Sequence, residues 1–95
     1  MRVLVGGGPR RSLDRVLSRC STLPHSFDSV TSQDGAGVWK RKAAHADIAV
    51  VRTGCIGHKA WLALKAQALP IVPVPLNGDD ALVAALHDLQ QKHAA

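Results

Sequence analysis

Two short apolar runs, Val3-Leu4-Val5 and Ile48-Ala49-Val50-Val51, each lead through a glycine-bearing turn into a stretch with helical spacing. No other feature constrains the fold as much. Runs this short suit strands, and an unbroken one suits a strand covered on both faces of a parallel sheet. The first run ends at Gly6-Gly7-Gly8-Pro9. Proline fits the first helical position because it has no N–H to satisfy there. Leu13, Val16, Leu17 and Cys20 then recur at amphipathic helix spacing.

The rest of the chain repeats the succession. Pro24 interrupts it, and His25 to Val30 alternates weakly, as an edge strand would. Residues 32–37 are turn-rich, and Val38 to Ala46 reads as a helix with a thin apolar face. Asp47 to Val51 is the central strand, and residues 54–57 turn the chain. His58 to Leu69 is a second clear helix, with Ala60, Trp61, Leu64 and Ala68 on one side. Pro70-Ile71-Val72-Pro73-Val74-Pro75 fits only a sheet edge, because each proline lacks a ladder donor. Asn77-Gly78 is expected to turn, and Asp79 or Asp80 to cap a last helix carrying Leu82, Ala85, Leu86 and Leu89.

Strands alternating with helices predict an α/β fold with a parallel sheet. The expectation is one domain over residues 1–95. Four strands lie in the order 2-1-3-4, flanked by four helices in a flavodoxin- or Rossmann-like three-layer sandwich. That order creates a topological switch point between strands one and three, where open α/β sheets bind ligands.

Composition narrows the function classes. Ninety-five residues leave no room for a separate catalytic domain. No apolar run approaches the roughly 18 residues of a membrane span. The opening residues read as a strand rather than a signal peptide, so a cytoplasmic protein with reduced Cys20 and Cys55 is expected. Residues 1–59 carry ten Lys or Arg against four Asp, a balance of +6, and residues 60–95 carry two Lys against three Asp, a balance of −1. A basic half favours an anionic small molecule or nucleic acid as partner. The sequence contains no Glu, which excludes any mechanism that needs a Glu base.

Two loops should meet at the switch point. One is Gly6-Gly7-Gly8-Pro9-Arg10-Arg11, the other Arg52-Thr53-Gly54-Cys55-Ile56-Gly57-His58-Lys59. Each runs from a strand into a helix N-terminus, where unpaired N–H groups and the helix dipole favour an anion. The expected ligand-binding set is Gly6, Gly7, Gly8, Arg10, Arg52, Thr53, His58 and Lys59. The glycines would supply backbone donors and the cations would neutralise charge. Gly-Gly-Gly is neither a dinucleotide fingerprint nor a P-loop, since no Gly-Lys-Ser/Thr follows. The result would be a non-enzymatic binding or regulatory module with a phosphate- or nucleotide-like anion in the cleft.

Other readings remain open. Cys55 and His58 have a Cys-x-x-His spacing that could hold metal or support thiolate chemistry, with Cys20, His25 and His45 as remote further ligands. Trp39 beside Lys40-Arg41-Lys42 could stack a base while the cations hold phosphates, or could pack inward under a solvated face. Trp61 has core spacing. An open sheet also leaves edges, and the proline-free segment His25 to Val30 would be the place for homodimer pairing.

Several motifs together resemble the bacterial family 2325 of the domains of unknown function. They are Val3-Leu4-Val5-Gly6-Gly7, Ala46-Asp47-Ile48-Ala49-Val50-Val51, Gly57-His58-Lys59-Ala60-Trp61 with Lys65, and Leu69-Pro70-Ile71-Val72-Pro73-Val74. The family usually has Ser where Gly57 stands and an Ala-Lys pair where Ala66-Gln67 stands. The resemblance implies an α/β fold, singles out Gly6, Gly7, His58 and Lys65, and implies no particular reaction.

Overall fold

The sheet is built on β1 (Arg2–Gly6) and β3 (Ile48–Arg52), the two apolar runs. They pair in parallel, with Val3 opposite Ile48 and Gly6 opposite Val51. β2 (Ser26–Val30) flanks β1, with Arg2 opposite Ser26, and β4 (Ile71–Val74) flanks β3, with Ala49 opposite Ile71. The spatial order is β2-β1-β3-β4, all parallel. This computed structural model describes residues 1–75 and 78–93, with side chains as far as Leu89. Asn77, in the turn expected at Asn77-Gly78, lies outside the described residues.

Alternation along the strands separates two cores. Val3, Val5, Ile48, Val50 and Val74 face Leu13, Val16 and Cys20 of α1 (Arg10–Arg19) and its C-cap, and Leu82, Leu86 and Leu89 of α4 (Asp79–His93). Leu4, Val30, Ala49 and Val51 face Trp39 and Ala43 of α2 (Ala36–Ala43), and Ala60 and Leu64 of α3 (His58–Lys65). The result is the expected three-layer α/β sandwich. Each buried Val or Leu contributes about 1.5–3 kcal/mol of transfer free energy, so both faces of β3 must be apolar.

Boundaries depart from the sequence reading in identifiable ways. α2 starts at Ala36 rather than Val38 because Gly35, at φ −72 and ψ 166, already serves as its N-cap. α3 stops at Lys65 rather than Leu69. Ala68 has a positive φ of 56, and Leu69 precedes Pro70, which disfavours helical geometry at the residue before it. A one-turn 3-10 helix at Thr53–Cys55 carries the chain from β3 toward α3. Asp79 and Asp80 form the first turn of α4, and their carboxylates turn to α1. No helix among the described residues is long and apolar enough to cross a membrane.

Candidate functional site

The carboxyl ends of β1 and β3 meet at the three consecutive glycines, and each glycine has a separate steric reason to be there. A Cβ on Gly6 would lie 2.5 Å from the indole of Trp39. Gly7 has φ 94, and a Cβ there would lie 2.8 Å from the Arg52 carbonyl oxygen. Gly8 has φ 104, and a Cβ there would lie 2.6 Å from the Arg52 guanidinium. Residues with side chains rarely adopt such φ values. Gly6 thus makes room for a core tryptophan, while Gly7 and Gly8 wrap the chain over Arg52.

Arg52 is the last residue of β3 and is 1% exposed. Its Nε donates to the Gly7 carbonyl at 2.9 Å and one terminal nitrogen donates to Ser12 Oγ at 2.8 Å. The same nitrogen is 3.6 Å from Asp79 Oδ1. Ser12 in turn donates to Asp79, whose other oxygen accepts from Arg15 Nε at 2.7 Å. A buried guanidinium needs such partners, because desolvating an uncompensated charge is costly. Arg52 was expected to neutralise a ligand in the open cleft. It instead ties the glycine loop, α1 and the start of α4 together from beneath. The hydrogen bond from Arg15, then that from Ser12, hold the Asp79 carboxyl below the usual carboxylate range.

The other expected site residues separate into two groups. Arg10 opens α1 at the surface and donates to Ser29 Oγ of β2 at 2.6 Å, so it leans toward the sheet edge. Thr53 and His58 come together across the β3–α3 connection. With Ile56 and Trp61 they line a shallow hollow of about 370 Å3. His58 and Lys59 are exposed and open α3, and Thr53 is half-buried. Trp61, expected in the core, is half-buried and packs against the α2/α3 core, with Lys65 Nζ 6.0 Å from its ring centroid.

Three helices around this edge share one property. α1, α2 and α3 begin at Pro9, Gly35 and Gly57 with no side-chain cap and no acidic residue in the first turn. α4 alone carries acids there. Helix N-terminal N–H groups want an acceptor, and the dipole favours a negative one.

Neither the metal reading nor the base-stacking reading of Trp39 gains from this arrangement. Among the described residues no three His, Cys, Asp or Glu side chains cluster as metal ligands would. Cys20 is buried beneath α1, and burial raises its thiol pKa despite nearby Arg19. Trp39 is 1% exposed, so its indole cannot stack a base. Lys42 donates to the Ser29 carbonyl at 2.7 Å and bridges Asp28 at 3.3 Å, leaving Lys40 and Arg41 as the exposed cations of that run. A more enclosed cavity of about 160 Å3 lies at the opposite edge, among Arg2, Leu4, Ser26, Asp28, Lys42 and His45. Its cations sit beside Asp28 and the carboxyl end of α2, where basic side chains complement the dipole.

Sequence reasoning missed Ser12, Arg15 and Asp79 as the partners of Arg52. Asp79 lies 64 residues from Arg15 and 67 from Ser12, and no local pattern links them. Only the parity of Arg52, which follows inward-facing Val50 on the α1/α4 side, hinted that its side chain enters that layer. The chain matches no protein-family model and no curated protein.

Proposed function

We propose that the chain is a small binding or regulatory module that holds an anionic ligand, phosphate- or nucleotide-like, at the carboxyl edge of the sheet. The observation that carries this reading is the set of uncapped, acid-free N-termini of α1, α2 and α3. An anion supplies the acceptor and the negative charge that these termini lack. Exposed Arg10, Arg11 and Lys59 add positive charge at two of them, and exposed His58 adds a ring donor.

Titration with inorganic phosphate, followed by backbone amide shifts, tests the proposal. Shifts concentrated in residues 6–12 and 53–60 are expected. Shifts scattered elsewhere, or none at millimolar phosphate, overturn it. The variant His58→Asn should keep the fold, because His58 is exposed and Gly57, not residue 58, is the N-cap of α3, and should weaken phosphate binding.

A further inference from the structure

Of the three aromatic residues besides histidine, Trp39 is buried and Phe27 packs against the α1/α4 core. Trp61 alone lines a hollow at the carboxyl edge of the sheet, with Thr53, Ile56 and His58. Helical side chains lean toward the N-terminus of their helix. Trp61 follows His58 by about one turn on α3, and the two side chains line the hollow together. The hollow thus combines an aromatic surface, an aliphatic wall, a hydroxyl and an imidazole.

Its electrostatics are one-sided. No Asp or Glu occurs anywhere in residues 48–78, Lys59 follows His58 in the chain, and Lys65 Nζ lies 6.0 Å from the Trp61 ring centroid. A volume of about 370 Å3 suits one small molecule, because ligand sites typically span roughly 300–1,000 Å3.

The geometry points to a mononucleotide as the ligand, its base on Trp61 and Ile56, its sugar or base edge at Thr53, and its phosphate at His58 and Lys59. The phosphate end rests on the anion-binding reading above. The base end rests on Trp61 alone, so the two can fail separately. Stacking on an aromatic side chain tolerates any base, since every base has a π face. Selectivity among bases is therefore expected to be weak.

The experiment compares AMP, adenosine and inorganic phosphate on the full chain at constant ionic strength, by calorimetry and tryptophan fluorescence. AMP should bind at least about tenfold tighter than phosphate, the scale of one stacked base. AMP and adenosine should quench Trp61, and phosphate should not. Trp61→Leu should bring AMP affinity down to that of phosphate and leave phosphate affinity unchanged, with Trp61→Phe in between. Circular dichroism checks the fold of both variants. If Trp61→Leu does not fold, the wild-type affinity ratio and quenching decide. Equal affinities for AMP and phosphate, or no loss in a folded Trp61→Leu, overturn the nucleotide inference and leave the anion reading standing. No binding of either overturns both. Affinity that grows with oligonucleotide length would assign the hollow to a nucleic-acid strand and also overturn the inference.

Discussion

Gly6 and Asp79 are single residues that the fold uses for contacts far away in sequence. At Gly6 a methyl group would meet the Trp39 indole at 2.5 Å, in a core with no slack. Gly6→Ala should therefore cost about 1–3 kcal/mol, the usual penalty of overpacking. Gly57→Ala is the control. Nothing lies within 4 Å of a Cβ there and φ is −74, so the loss should stay within about 1 kcal/mol. Urea melts of both variants check the pair, and equal losses would contradict the packing argument. Asp79 gives a pH prediction. Its folded-state pKa lies below the ordinary 3.8, first through the hydrogen bond from Arg15 and then through that from Ser12. Its contribution to stability is therefore present above the unfolded-state pKa and is lost as pH falls through the folded-state pKa. Asp79→Asn should be less stable than wild type at neutral pH, by about 1–3 kcal/mol, because buried Arg52 and Ser12 lose their carboxylate partner. The gap should narrow at acid pH below 3.8. A constant gap across a series of denaturant melts would place the stabilisation elsewhere.

Among the elements, the edge strands carry side chains and prolines that oppose pairing with a further strand. Ser26 N donates to Met1 O, and Val30 O accepts from Gly7 N, so Ser26, Asp28 and Val30 turn their main-chain groups toward β1. Phe27, Ser29 and Thr31 turn theirs outward. Asp28 accepts from Ser29 N at 2.8 Å, Lys42 donates to Ser29 O, and Asp34 accepts from Thr31 N at 2.8 Å. That last bond is the main reason the Asp34 pKa is lowered. At the other edge, Ala49 N donates to Pro70 O, which places Pro73 and Pro75 at outward positions. Side chains and prolines on exposed edges discourage strand pairing. An incoming copy at residues 25–30 would have to displace Asp28 and Lys42. The double variant Asp28→Ala, Asp34→Ala should therefore self-associate more than wild type in concentration-dependent sedimentation. Identical sedimentation at every concentration would show that these carboxylates do not guard the edge.

At the scale of the whole molecule, the three layers place α1 and α4 on one side of the sheet and α2 and α3 on the other. The connections after β1 and β3 diverge to opposite sides, which opens the crevice between them. Arg52 and Asp79 close its α1/α4 side from within, and the hollow beside Trp61 lies on the α3 side. An anion bound only to the folded state stabilises it by mass action. Phosphate at a hundredfold excess over its dissociation constant should raise the unfolding free energy by about 2.7 kcal/mol. Thermal melts with phosphate, compared with chloride at matched ionic strength, measure this. Equal midpoints in the two salts would argue that no phosphate site forms with the fold.

The sequence by itself determined the succession of elements and their order in the sheet. Val3-Leu4-Val5 and Ile48 to Val51 are apolar at every position, which only central strands tolerate, and the prolines of Pro70 to Pro75 fit only an edge. These are local signals, set by periodicity and by which residues can donate to a ladder. The meeting of Thr53 with His58 was equally legible, because one short connection carries both. The tertiary structure alone decided what the glycines and Arg52 do. Gly6 is specified by Trp39, 33 positions away, and Gly8 by the guanidinium of Arg52. Arg52 is specified by Ser12 and Asp79 on two different helices. A glycine that admits an anion and a glycine that admits a neighbouring side chain look the same in a sequence. A cation that faces solvent and one clasped beneath a loop also look the same. The difference is where the chain folds back upon itself, and contacts between distant residues leave no spacing to read.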